Sequence, residues 1–143
     1  MSETECIFCK IVAGALPAAI VYQDGVSMAF MDIRPVNPGH VLVIPKRHAA
    51  YLADLDPDTG GRLFQIAMRV GAAIRRTDLR CEGINLFLAD GEAAMQEVFH
   101  VHLHVIPRCT GDGFGLRFGD HYFKETSRAD LEAVSQSIVE SWQ

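Results

Sequence analysis

Along this chain, apolar positions sometimes run together and sometimes recur at helical spacing, and each pattern predicts a different element. Ala19–Gln23 and Val26–Met31 are apolar runs on either side of Asp24-Gly25, which predicts a β-hairpin. Val41–Ile44 is an unbroken β-rich run ended by Pro45 and predicts a buried strand. It follows a rigid loop, Pro35-Val36-Asn37-Pro38-Gly39. The main helix is expected from about Pro57 to Thr77, with Asp56 as its cap and Pro57 in the first helical position. Leu63, Ile66, Ala67, Val70, Ala73 and Ile74 give it one apolar face. Ile84–Ala89 and Phe99–Pro107 read as strands joined by the polar loop Asp90–Glu97. A last helix is expected from Ser127 to Ser141, with Ser127 and Asp130 at its start and Leu131, Val134, Ile138 and Val139 facing inward. The sum is α+β: an antiparallel meander of strands with one long helix laid on a face and a C-terminal helix.

At 143 residues the chain has the length of one domain. A Cys-bearing segment occupies about residues 1–15, set off by the turn-rich Ala13–Pro17, and a loop and helix occupy about 109–143. Hydrophobic residues make up 49%, too many for a disordered chain, and no run approaches the roughly 18–20 apolar residues of a membrane helix. The start, Met1–Glu5, lacks the basic and apolar stretches of a secretory signal, so a cytoplasmic setting is expected. A net charge of -5 excludes an electrostatic binder of nucleic-acid polymers but leaves room for a small phosphate-bearing ligand. The four cysteines are too few and too uneven for a disulfide scaffold. Cys6 and Cys9 have the spacing of half a zinc site, or of a redox pair, whereas Cys81 and Cys109 read as plain thiols.

Chemistry concentrates in His100, His102 and His104. On a strand the three imidazoles share one face at spacings of roughly 6–7 Å, while Phe99, Val101, Leu103 and Val105 share the other. Such a row could be a polar face or a metal-binding ribbon. It also suits nucleotidyl transfer, because neutral imidazole is a good nucleophile near pH 7. One ring nitrogen must then be protonated and fixed, so that the other aims its lone pair at phosphorus. A backbone carbonyl can do this, and a second histidine can hold the phosphate.

His100-Val101-His102-Leu103-His104-Val105-Ile106, followed by Pro107-Arg108, closely resembles the signature of the histidine triad (HIT) family. Cys6-Ile7-Phe8-Cys9-Lys10-Ile11 resembles the opening of its nucleoside phosphoramidate hydrolase branch and bacterial relatives. Ala29–Ile33 and Pro38–His48 look like its nucleotide-binding strand and loop, so the likeness covers most of 6–108. The resemblance implies that His102 attacks an α-phosphate and forms a nucleotidyl-histidine, which water resolves to a nucleoside monophosphate. It implies that the His100 carbonyl orients the nucleophile and that His104 contacts phosphate. Asp32 and Ile33 would lie around the ribose, Asn85 and Gln96 near ribose and phosphate, and His40 at the pocket edge. It also implies a structural zinc held by Cys6, Cys9, His48 and His100, no metal in the chemical step, and a homodimer. The chain departs from the family in one stretch: Met95-Gln96-Glu97 stands where many members have Gly-Gln-Ser or Gly-Gln-Thr, and a carboxylate near phosphate is repulsive.

Hydrolysis of a nucleoside phosphoramidate or related conjugate is the leading expectation. Asp90-Gly91-Glu92-Ala93 and the long tail give weight to a dinucleoside polyphosphate hydrolase. Glu97 gives weight to a zinc-stabilised nucleotide-binding module with little turnover.

Overall fold

Five strands form one antiparallel sheet in the computed structural model, which describes residues 2–142. A short helix α1 (Ile7–Val12) comes first, then β1 (Ile20–Gln23), β2 (Ser27–Met31) and β3 (Val41–Pro45). Helix α2 (Pro57–Ile74) crosses to β4 (Gly83–Leu88), and β5 (Leu103–Arg108) follows. By contact the chain divides into two compact units, one running to Asp112 and one beginning at Gly113. Among the described residues, no helix is long and apolar enough to cross a membrane.

The strand order is β1-β2-β3-β5-β4, so the meander holds for the first three strands and the last two are exchanged. Burial explains the exchange. Leu103, Val105, Ile106 and Pro107 of β5 are all buried, which suits a central position, whereas Asn85 and Leu86 of β4 are exposed at the edge. One face of the sheet packs Ala29, Val41, Val43, Leu103 and Val105 against Leu63, Ile66, Ala67, Val70 and Ile74 of α2. Asp56 caps that helix by accepting from the Thr59 amide, and Pro57 stands at its start. Gly71 lets α2 close on β4, since a Cβ there would lie 3.0 Å from Ile84. The opposite face carries Met28, Phe30, Leu42 and Ile44, closed at one end by Cys6 and Phe8 of the α1 segment.

Three further differences from the expectations concern where one strand begins, an additional short helix and the exposure of the last helix. The strand expected from Phe99 begins only at Leu103, because the Val101 amide donates to the Ala49 carbonyl (2.7 Å) rather than to a neighbouring strand. Phe99 is therefore not a core residue; its ring meets Tyr51 edge-on. Residues 7–12, read only as a Cys-bearing segment, are helical. In the second unit, α3 (Arg128–Ser141) starts as expected, with the Ser127 hydroxyl accepting from the Asp130 amide. Its stripe does not face inward: Leu131, Val134, Ile138 and Val139 are all exposed. Spacing encodes the stripe but not what covers it.

Candidate active site and metal-binding cluster

The face of the sheet opposite α2 holds the histidines. His104 on β5 pairs with Leu42 on β3 and Phe87 on β4, and His40 immediately precedes β3. His40 follows Gly39, whose φ of 97° suits glycine and where a Cβ would press within 2.9 Å of Leu79. The loop can thus lie flat against the end of α2 and deliver His40, which is buried.

The partners of each ring fix its tautomer. His102 Nδ1 lies 2.7 Å from the His100 carbonyl oxygen. A carbonyl only accepts, so Nδ1 carries the hydrogen and Nε2 keeps a free lone pair. The Val36 amide donates to His40 Nδ1 at 3.1 Å, which puts the His40 hydrogen on Nε2. That hydrogen is donated to His104 Nδ1 at 2.8 Å, leaving His104 with Nε2–H as a second donor. Asp32 stands 3.6 Å from His40 Nε2 and so faces the same pair. Asp32, His40 and His104 are close enough together to suggest a metal site. The Val36 bond argues otherwise: with Nδ1 accepting, neutral His40 has no lone pair left on Nε2. The trio is a hydrogen-bond relay.

Burial lowers the pKa of His102, with its carbonyl bond, Asp32 and Glu97 acting in the opposite sense. Burial and the neighbouring His102 and His40 push His104 down to about 4. Burial likewise lowers His40 against the pull of Asp32. All three rings are therefore neutral near pH 7, as a nucleophile and its hydrogen-bond donor require.

The second cluster lies beside the first. Cys6 Sγ is 3.4 Å from His100 Nδ1, Cys9 Sγ is 3.5 Å from the same nitrogen, and Cys9 Sγ is 3.2 Å from His48 Nδ1. All four donor atoms lie within 4.8 Å of one another. Tetrahedral zinc would space sulfur and nitrogen ligands at roughly 3.5–3.8 Å, so the set fits such an ion. His100 Nε2–H donates to the Pro45 carbonyl at 2.8 Å, which leaves Nδ1 free to coordinate and holds the ring in place. Burial and the adjoining Cys6 push the Cys9 thiol up to about 12, and a bound dication would reverse that. His100 is thus shared: its imidazole belongs to the cluster and its carbonyl orients His102. Phe8 links the two, its ring 5.8 Å from that of His100 and 5.3 Å from that of His102.

The remaining predicted residues fall in different places. Ile33 is 93% exposed beside Asp32, an apolar side chain open to a stacking partner. Gln96 is buried, and its amide braces its own loop: Oε1 accepts from the Gly91 amide while Nε2 donates to the Ala50 and Val98 carbonyls. Both its hydrogens are engaged with backbone. Asn85 lies two positions along β4 from Phe87, and its Oδ1 accepts from Arg108 at 2.6 Å. Four participants carry no functional signal in the sequence: Val36, Pro45, Phe8 and Phe87, whose ring lies 5.7 Å from that of His104. Two of them act through backbone atoms, which no side-chain pattern encodes.

An α+β protein with a carbonyl-oriented histidine beside a thiol–imidazole cluster defines a narrow class. A HIT domain matches residues 13–111. The crystal structure of a HIT family member from Bacillus subtilis superposes with a TM-score of 0.87 at 39% identity, covering 97% of this chain and 98% of that one. A Zn-bound histidine triad family protein from Mycobacterium smegmatis superposes with a TM-score of 0.76 at 36% identity, covering 99% and 100%. The adenosine 5′-monophosphoramidase of Schizosaccharomyces pombe is 39% identical over 133 residues, 93% of this chain and 95% of that protein. The chain belongs to the histidine triad family.

Proposed function

We propose that this protein hydrolyses nucleoside phosphoramidates through a nucleotidyl-His102 intermediate. The observation that carries the reading is the 2.7 Å bond from His102 Nδ1–H to the His100 carbonyl, which leaves the Nε2 lone pair as the nucleophile. Nε2 attacks the α-phosphorus, the P–N bond breaks, and its electron pair leaves with an amine that takes a proton from water. The ring becomes a cation, eased by the His100 carbonyl and by the carboxylates of Asp32 and Glu97. Water then attacks phosphorus and gives its proton to the hydroxide left when the amine was protonated, the bond to Nε2 returns its pair to the ring, and the nucleoside monophosphate departs. His104 Nε2–H donates to a phosphate oxygen, held in that tautomer by His40. Asp32 accepts from ribose hydroxyls, Ile33 lies under the nucleoside, and Asn85 borders the pocket. Gln96 acts through the loop that it braces.

Cys6, Cys9, His48 and His100 would hold a structural zinc, which takes no part in the chemistry and needs the reduced thiols of a cytoplasmic setting. The likeness to the fission yeast phosphoramidase supports the substrate class, and the Zn-bound relative supports the metal.

Intact-mass spectrometry after brief mixing with adenosine phosphoramidate tests the reading. The wild type is expected to show a transient AMP adduct and to release AMP. His102→Ala, folded by circular dichroism, is expected to show neither, with turnover down by at least about a thousandfold. Appreciable residual turnover in that variant rejects His102 as the nucleophile.

A further inference from the structure

Around His102 the residues form a ring that ends in an ion pair. Asp32 faces His40, His40 is bonded to His104, and the His104 ring lies 4.9 Å from that of His102. Asp32 also accepts from the Arg34 amide at 2.8 Å, which anchors the next residues of that loop. From the other side comes the loop before the triad, locked by Gln96 and by Met95 in the left-handed conformation at φ 68°. Its next residue, Glu97, meets Arg34 at 3.4 Å. The pair therefore bridges the two loops that flank the nucleophile. Both side chains are at least four-fifths open to solvent, so the pair is weak and exchanges readily with an incoming charge.

Three formal charges then mark the mouth: carboxylates at Asp32 and Glu97 and one guanidinium at Arg34. A leaving group that is itself a phosphate chain could use Arg34 only by taking it from Glu97, leaving that carboxylate unpaired beside more negative charge. A leaving group with an ammonium could instead take the place of Arg34 at Glu97. We propose, resting on the nucleotidyl-transfer reading above, that Glu97 selects substrates whose leaving group carries positive charge and disfavours dinucleoside polyphosphates. The departure from the Gly-Gln-Ser or Gly-Gln-Thr pattern is on this view a specificity determinant and does not mark a lost activity.

The test is a charge ladder of adenosine 5′-phosphoramidates made from 1,4-diaminobutane, pentylamine and 4-aminobutanoate, beside diadenosine tetraphosphate. In low salt the wild type is expected to rank the cationic amidate above the neutral one and the neutral above the anionic, by about three- to tenfold per step in kcat/KM. Roughly 0.5 M salt should flatten the series. Glu97→Gln should compress the cation-to-anion ratio by about tenfold and raise the relative rate on the tetraphosphate, because it frees Arg34. Arg34→Gln should widen the ratio. A ladder that is flat in the wild type, or unchanged by Glu97→Gln, overturns the proposal while leaving nucleotidyl transfer standing. Release of AMP from none of the amidates would instead strike the reading on which it rests.

Discussion

The same side chain does three jobs here, and what decides each is the atom facing its ring. His100 faces a carbonyl and two thiols, His102 a carbonyl alone, and His104 the N–H of another imidazole. The His-x-His-x-His row is legible in the sequence, and the family resemblance adds the His100 carbonyl, His40 and the cysteine pair; the Val36 amide that sets the relay and the Pro45 carbonyl that aims His100 are backbone groups that no side-chain pattern marks. The relay predicts a pH effect on stability. In the folded chain His104 titrates at about 4, lowered by burial and by His102 and His40, and His40 is lowered by burial. In the unfolded chain both take a proton near the ordinary value of about 6.5. Between these limits the unfolded state binds more protons, so stability falls as pH drops from about 6.5 toward 4. Thermal melts at pH 7.0 and 4.5 should separate by roughly 5 °C or more, and by less in His104→Asn, which cannot titrate. Equal acid sensitivity in the two proteins would mean that the relay contributes nothing to it.

At the scale of elements, most of the fold is legible: both long helices and all five strands have a patterned segment in the sequence. What spacing misses is where pairing begins. Phe99 to His102 alternate like a strand, but Ala49 rather than a strand takes the Val101 amide, so the first two triad histidines precede the ladder. Helix α1 has no sequence signal for a different reason. Six residues are too few to nucleate a stable helix, and it holds because Phe8 and Cys6 are buried against Phe30 and His100. A metal on Cys6, Cys9, His48 and His100 would pin the same segment. Elemental analysis of unchelated protein should give about one zinc per chain. Chelation, or Cys9→Ser, should lower the melting temperature by several degrees and open the amides of residues 6–12 to hydrogen exchange. Protein purified without chelator that carries no zinc would remove the site.

At the scale of the whole molecule, the second unit carries apolar surface that a soluble helix seldom leaves bare. Leu131, Val134, Ile138 and Val139 recur at helical spacing, Trp142 follows, and each is more than half exposed. A fourteen-residue helix with its apolar stripe in water is marginal by itself, since amphipathic helices draw most of their stability from packing. The family resemblance implies a homodimer with its two sheets joined and the long helix near the seam, and we propose that the α3 stripe is covered in the same assembly. Each of these side chains contributes roughly 1.5–3 kcal/mol when moved from full exposure to full burial, which offsets the cost of bringing two copies together. Light scattering behind size exclusion should therefore report about twice the 15.8 kDa of one chain. Val134→Glu combined with Ile138→Glu should shift that mass toward a monomer, because two carboxylates per copy would have to be buried in the joint. Helix content should survive, since neither residue is buried in the isolated chain. A wild type that is monomeric at tens of micromolar would sink the dimer. A double variant that stays dimeric would move the interface off α3, leaving the stripe without that role.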